Sequence, residues 1–272
     1  ALAPFEILVA MRERTSFPDS LLRRLPKLQL LVTTGQRNLA IDMAAARECD
    51  VDVCGTTLLG YPAFEHTWAL ILGLMKQIPL ENDAMHRGEW QVSFADGLRG
   101  KTLGVLGLGK LGAEVAKIGL AFQMEVIAWS ENLTAARARD CGVQWVSKND
   151  LLSSSDVLTI HLVLSARTRG LIGTEELQLM KSSAYLVNTS RGPIVDETAL
   201  IDALTRKSIR GAALDVYDTE PLPSDHPIRK LDNAVLTGHT GYVIRDNFVH
   251  GYGEVVEDVL AWLAGKPLRL LN

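Results

Sequence analysis

Continuous apolar runs and helically spaced stretches alternate along almost the whole 272-residue chain. Near its start, 7–11, 28–33 and 51–54 are short apolar runs bounded by polar or turn residues, as expected of strands buried on both faces. Between them, 19–25 and 41–48 have helical character, the first stopped before Pro26. This predicts a β-α-β-α-β series with its own small sheet. Pro62 then opens a long helix with an apolar body from Trp68 to Met75, which Pro79 should end or kink. Helical, charged character resumes over 81–89, and 90–100 reads as a loop. A fuller series begins at Lys101, with strands expected at 103–106, 125–129, 144–145, 157–160, 184–188, 211–215 and 234–237. Helices are expected at 111–122, 135–141, 174–179, 197–205 and 246–263. Alternation this dense predicts an α/β protein with doubly wound parallel sheets.

Composition narrows the function classes. The chain is 47% hydrophobic and 22% charged with a formal net charge of -4 and no basic block, which speaks against nucleic acid as a partner. No apolar run approaches the roughly 20 residues of a membrane span. The opening Ala-Leu-Ala-Pro-Phe-Glu has neither the basic nor the apolar part of a signal peptide. Cys49, Cys54 and Cys141 have no C-x-x-C or metal-ligand spacing, so reduced thiols in a cytoplasmic protein without a structural metal are expected.

The candidate chemistry lies at the ends of the apolar runs. Gly107, Gly109 and Gly112 form a G-x-G-x-x-G between an expected strand and an expected helix, the context a dinucleotide-binding turn requires. Gly107 would permit the turn, Gly109 the approach of a pyrophosphate, and Gly112 close packing of helix on strand. The N–H groups of Lys110 and Leu111 would open the helix and face the phosphates. The next strand ends at Ser130, followed by Glu131, where an NAD site usually carries an acid for the ribose hydroxyls. Ser130 suits a ribose hydroxyl or a 2′-phosphate; Glu131 disfavours the phosphate. The cofactor expected is therefore NAD, with NADP open. Further along, Thr189 and Arg191 follow one strand, Asp215 closes another with Glu220 in its loop, and His239 follows a third. Arg191, Glu220 and His239 converge on carboxyl-end loops of one sheet, where a hydride-transfer site belongs. His161 also falls at that edge, as a lining residue without assigned chemistry. His66 reads as packed on, or capping, the long helix, and His86, His226 and His250 as structural.

In these segments the chain resembles the D-isomer-specific 2-hydroxyacid dehydrogenase family. The matching stretches are Gly107 to Gly112, Asn188-Thr189-Ser190-Arg191-Gly192, Leu214-Asp215-Val216-Tyr217 with Glu220-Pro221, and His239. The resemblance implies two lobes, Rossmann-like and flavodoxin-like, with a cleft between them: a substrate domain of residues 1–58 and 242–272 and an NAD(P)-binding Rossmann domain of residues 59–241. It implies Arg191, Glu220 and His239 as the catalytic set, Asp215 as a nicotinamide ligand, and Thr189 and Gly241 beside the cofactor. The substrate carboxylate would be held by Arg191 and by backbone N–H groups of the loop at Gly35 and Gln36, with Gln36, Arg37 and Asn38 facing the rest of the substrate. A homodimer is implied, with the arm after Pro79 through Trp90 as its contact. In reduction, His239 would give a proton to the developing alkoxide, Glu220 would orient the imidazole and favour its charged form, and Arg191 would polarise the carbonyl. A small D-2-hydroxy acid or 2-keto acid, glyoxylate, hydroxypyruvate or 3-phosphoglycerate-like, is the substrate the resemblance implies.

Three departures stand against the family pattern. Gly238 replaces the proline usual before the histidine and should loosen that loop; Ser130 replaces the usual acid; and a strand and helix at the start of the small lobe are expected to be missing. Two alternatives remain at this level. One is a non-enzymatic NAD(H)-sensing corepressor on the same scaffold. The other is a formate- or phosphite-type dehydrogenase, against which Glu220 argues for the formate case.

Overall fold

The computed structural model describes all 272 residues. They form two compact units, Ala1–Gly60 with Val243–Asn272, and Tyr61–Tyr242. The first unit opens with strand β1 (Ile7–Ala10), helix α1 (Asp19–Leu22), β2 (Leu30–Thr33), α2 (Met43–Glu48) and β3 (Asp52–Gly55). Its three strands are parallel in the order β1-β2-β3. All four residues of β2 are buried, as its unbroken apolar run requires. Helix α1 is shorter than its sequence pattern suggests; single turns over Leu21–Leu25 replace the continuation before Pro26. Asp42 caps α2 by accepting from Ala45 N at 3.0 Å.

The second unit runs through α3 (Pro62–Met75), α4 (Ile78–His86), β4 (Thr102–Leu106), α5 (Lys110–Ala121), β5 (Glu125–Trp129), α6 (Ala135–Asp140), β6 (Gln144–Trp145), α7 (Lys148–Ser154), β7 (Val157–Ile160), α8 (Thr174–Leu179), β8 (Tyr185–Asn188), α9 (Glu197–Thr205), β9 (Gly211–Leu214) and β10 (Ala234–Leu236). Pro79 is not what stops α3. Gln77 takes a left-handed conformation, φ 54, and Pro79 falls in the first turn of α4, where a missing N–H costs nothing. The segment 148–154 is a helix that the sequence pattern did not announce. Ser147 caps it, and Leu151 and Leu152 are its buried face.

All seven strands of this unit are parallel in the order β10-β9-β8-β7-β4-β5-β6. Two apolar clusters form its core: one holds Leu106, Leu158, Ile160 and Leu186, the other Leu103, Val105, Val157 and Val187. Alternate residues of each central strand thus enter opposite clusters, which is why these strands read as continuous apolar runs. The strand order reverses at β4, between β5 and β7, the place where an open parallel sheet leaves a crevice at its carboxyl edge.

The chain returns to the first unit in α10 (Arg245–Leu263), whose Val255, Val259 and Trp262 pack with Leu30, Val32 and Cys54. Residues 269–272 then lie along β3: Gly55 N donates to Arg269 O at 3.0 Å and Leu271 N to Val53 O at 2.7 Å. The Asn272 amide finishes this edge, accepting from Val53 N at 2.9 Å and donating to Val51 O at 2.8 Å. No helix is long and apolar enough to cross a membrane.

Candidate active site

The glycine turn occupies the reversal point of the sheet. Gly107 has φ 104, and a Cβ there would lie 2.7 Å from His161 O, so only glycine fits between β4 and the segment after β7. A Cβ on Gly112 would overlap Gly107 O, so this glycine permits the start of α5 to fold back on the turn. Gly109 has open space where its Cβ would be, and with Lys110 and Leu111 it is exposed. No side chain caps α5, so its first-turn N–H groups and positive dipole end are left without a side-chain partner at the turn. These features fit an anionic pyrophosphate. Ser130 sits half-buried just beyond β5, followed by exposed Glu131 and Asn132; Arg137 and Arg139 are exposed on α6. Burial pushes the His161 imidazole down to about 4, and its Nε2 lies 2.9 Å from Thr159 Oγ1.

The loop after β10 carries His239 in a left-handed conformation, φ 54. His239 Nδ1 lies 2.6 Å from Glu220 Oε2, and Glu220 Oε1 accepts from Tyr217 N at 3.0 Å. Burial opposes ionisation of Glu220, but the His239 hydrogen bond, the Tyr217 N–H and the charges of His239 and Arg191 outweigh it and hold its pKa below the usual glutamate value. Since a carboxylate faces Nδ1, that nitrogen carries the proton and Nε2 is left for chemistry. Arg191 is half-buried and extended, φ −148, and donates from Nη1 to Ser190 O at 2.7 Å. Its turn is held by Asn188, which donates to Arg191 O at 3.0 Å and accepts from Ser190 N at 3.0 Å.

Asp215, 1% exposed, is the centre of a polar cluster. Its Oδ1 accepts from Thr237 Oγ1 at 2.5 Å and Thr240 N at 2.8 Å; its Oδ2 accepts from Gly241 N at 2.9 Å; and its main-chain carbonyl accepts from His239 N at 2.7 Å. Burial raises the cost of its charge, but His66, Thr237 and the N–H groups of Thr240 and Gly241 overcome that cost and hold the carboxyl down to about 2. Gly241, read in the sequence as a cofactor contact, is buried, and its N–H donates to Asp215. Thr189 Oγ1 lies 2.8 Å from Thr67 Oγ1, which donates to Ala63 O at 2.8 Å. Gly238 is exposed with open space at its Cβ position, and the loop around it is held through Asp215.

Two residues change their reading. His66 is no helix cap: its Nε2 reaches Thr237 Oγ1 at 3.0 Å and Asp215 Oδ1 at 3.3 Å. Nothing near His66 in the sequence announces partners 149 and 171 residues away, and only the folded sheet supplies them. Asn38, expected to face the substrate, is 3% exposed and spends its amide tying its loop to the segment after β1, donating to Arg12 O at 2.8 Å and Thr33 Oγ1 at 2.9 Å. In that loop Gly35 has φ 136, the Arg12 guanidinium lies against it, and Gln36 and Arg37 are exposed. Arg12 carried no sequence signal of its own.

The family model for the D-isomer specific 2-hydroxyacid dehydrogenase NAD-binding domain matches residues 68–241. The chain belongs to this family. It is 38% identical to a glyoxylate reductase from Aeropyrum pernix over 93% of this chain and 78% of that protein. It is 35% identical to a D-3-phosphoglycerate dehydrogenase from Archaeoglobus fulgidus, over 96% of this chain and 50% of that one; the chain spans about half the length of that relative. A crystal structure described as a D-3-phosphoglycerate dehydrogenase oxidoreductase from Ralstonia solanacearum superposes with TM-score 0.94 at 35% identity, covering 100% of this chain and 84% of that one. Two further structures hold cofactors. D-lactate dehydrogenase from Aquifex aeolicus, with NAD and lactic acid, gives TM-score 0.81 at 29% identity over 97% and 84% of the two chains. An acyclic imino acid reductase with NADPH and D-Arg gives 0.78 at 28% over 100% and 87%. The 2-hydroxyacid dehydrogenases are NAD(P)-dependent oxidoreductases acting on the CH–OH group of donors, and the relatives leave NAD against NADP open.

Proposed function

We propose that the chain interconverts a small 2-keto acid and its D-2-hydroxy acid, of the glyoxylate, hydroxypyruvate or 3-phosphoglycerate type, with NAD(H). The observation that carries this reading is the His239–Glu220 pair, formed at the carboxyl edge of the same sheet that carries the glycine turn. In this reading Gly107, Gly109, Lys110, Leu111 and Gly112 hold the pyrophosphate, Ser130 the ribose, and Thr189, Asp215 and Gly241 border the nicotinamide. Asp215 Oδ2 takes one donor of the two it can accept, which leaves one position for an amide N–H. The nicotinamide, when bound, supplies or takes up the hydride. His239 Nε2 gives its proton to the carbonyl oxygen during reduction and takes it back during oxidation, while Glu220, bonded to Nδ1, orients the imidazole. Arg191 pairs with the substrate carboxylate and polarises the carbonyl. Residues 1–58 and 242–272 would then be the substrate lobe and 59–241 the cofactor lobe.

Ser130 with Glu131 supports NAD over NADP, since a carboxylate there repels a 2′-phosphate. A panel of glyoxylate, hydroxypyruvate, pyruvate and phosphohydroxypyruvate with NADH and NADPH tests the whole reading. Turnover with the higher kcat/KM for NADH is expected; NADH binding without turnover of any keto acid would identify a nucleotide sensor instead. His239→Ala should lower kcat by about 100-fold or more with NADH affinity unchanged.

The arm from α4 onward supports a homodimer, because it exposes Ile78, Met85, Trp90 and Phe94, the last 96% accessible. Sedimentation equilibrium at micromolar protein should give twice the chain mass, and a monomer would refute this assembly.

A further inference from the structure

We propose that His66 on α3 is a positioning residue for His239. The inference rests on the function proposed above for its kinetic consequence, but its structural content stands apart from turnover.

A count of protons assigns the donor. Thr237 Oγ1 has one proton, and at 2.5 Å from Asp215 Oδ1 it gives that proton to the carboxylate, which has none to offer. Asp215 is ionised at neutral pH, since its carboxyl is held down to about 2. The contact at 3.0 Å between His66 Nε2 and Thr237 Oγ1 must therefore run from nitrogen to oxygen. His66 carries a proton on Nε2 and shares it between Thr237 Oγ1 and Asp215 Oδ1, the second at 3.3 Å. A buried carboxylate taking donors from a hydroxyl, an imidazole and two main-chain N–H groups is fixed in one orientation.

That orientation is what holds the catalytic loop. Thr237, Thr240 and Gly241 all donate to the Asp215 side chain, and they bracket His239 on both sides. Gly241 packs directly on His66: a Cβ there would lie 3.4 Å from His66 Cδ2. His239 itself sits at φ 54, a region that costs a non-glycine residue of order 1 kcal/mol and persists only when its surroundings impose it. The Tyr217 hydroxyl adds a bond to Thr237 O at 2.9 Å, but it reaches only the first residue of the loop. His66 is the side chain from α3 that ties this loop to the helix, and it touches neither Glu220 nor His239 in any recorded hydrogen bond. Without its Nε2–H, Asp215 loses one of its donors and is held less tightly, and the imidazole of His239 loses part of its defined aim while the glycine turn is untouched.

The test compares His66→Gln, whose amide nitrogen reaches about as far as Nε2, with His66→Phe, which keeps the ring and loses the donor. His66→Phe should lower kcat roughly tenfold or more, since small misplacements of a reacting group are costly; His66→Gln should recover most of the loss. Hydrogen exchange, read without substrate, should be faster at the His239, Thr240 and Gly241 amides in His66→Phe and near wild type in His66→Gln. Should His66→Phe fail to fold, Thr237→Val against Thr237→Ser reads the same link from the loop side with the same two measurements. Wild-type exchange rates at those amides in both the Phe and Val variants would overturn the proposal, as would equal exchange in Gln and Phe. A protein that turns over no keto acid would sink the functional reading and leave the exchange result to decide this one. Altered exchange with full kcat in His66→Phe would also overturn it, because the loop would then move without consequence for His239.

Discussion

Two carboxylates are buried in this molecule, one in each unit, and they have shifted in opposite directions. Asp215, 1% exposed, is held well below the ordinary aspartate value; Asp258, 0% exposed, is raised above it. Burial acts the same way on both, disfavouring the charge. What differs is the supply of donors. Asp215 receives two hydrogen bonds from main-chain N–H groups, one from the Thr237 hydroxyl, a longer one from the Thr240 hydroxyl and one from an imidazole. Asp258 receives Arg269 Nε on Oδ1 at 2.9 Å, and its Oδ2 has no partner. Even that arginine is divided, since its Nη2 serves Glu257 Oε2 at 2.9 Å and Glu254 O at 3.0 Å, and the neighbouring glutamates push Asp258 further up. A net charge nearby is thus a poorer solvent for a buried carboxylate than several small dipoles aimed at both its oxygens. The carboxylate with full support is the one beside the His239 loop.

Replacing each acid in turn puts this contrast under the greatest strain. Asp215→Ala leaves these donors without an acceptor, and urea unfolding should show a loss of roughly 3–5 kcal/mol. A loss under about 1 kcal/mol would mean that the donors find water and that the cluster does not hold the loop. Acid titration gives a middle-sized effect with a definite sign. The folded pKa of Asp215 lies below its unfolded value near about 3.9, so its stabilisation is complete above that value and disappears as pH falls toward about 2. It amounts to roughly 2 kcal/mol, and Asp215→Asn should flatten that part of the stability–pH curve. The sign is reversed for Asp258, whose raised folded pKa makes it costlier as pH rises through that value. Asp258→Asn should therefore give the smallest effect, within about 1 kcal/mol of the wild type at neutral pH and tending toward a gain. A penalty there as large as at Asp215 would abolish the distinction.

The sheets were legible because parallel strands buried on both faces leave unbroken apolar runs, as in Val157–Ile160 and Tyr185–Asn188. The helix Lys148–Ser154 escaped because its polar, serine-rich surface hides a buried pair, Leu151 and Leu152. The glycine turn announces itself because its three glycines answer local steric needs. Glu220 and His239, 19 residues apart, each follow a strand of one sheet, so the topology alone brings them to a common edge. His66, Arg12 and Asn38 were not legible in the same way. Their partners are set by how separate segments pack, and a single polar residue in an otherwise ordinary helix or loop carries no trace of that.

The docking of residues 269–272 on β3 gives the two units different timetables on the ribosome. Asn272 pairs with Val53 across 219 residues of chain, whereas every strand of the seven-stranded sheet lies between Thr102 and Leu236. The larger sheet has all its strands once Leu236 has emerged. The outer edge of β3 waits for the whole intervening stretch to be translated, on the order of ten to forty seconds at about 5–20 residues per second. For that interval the nascent small sheet presents unpaired backbone groups, and the cell must either shield that edge or translate residues 269–272 before another strand finds it.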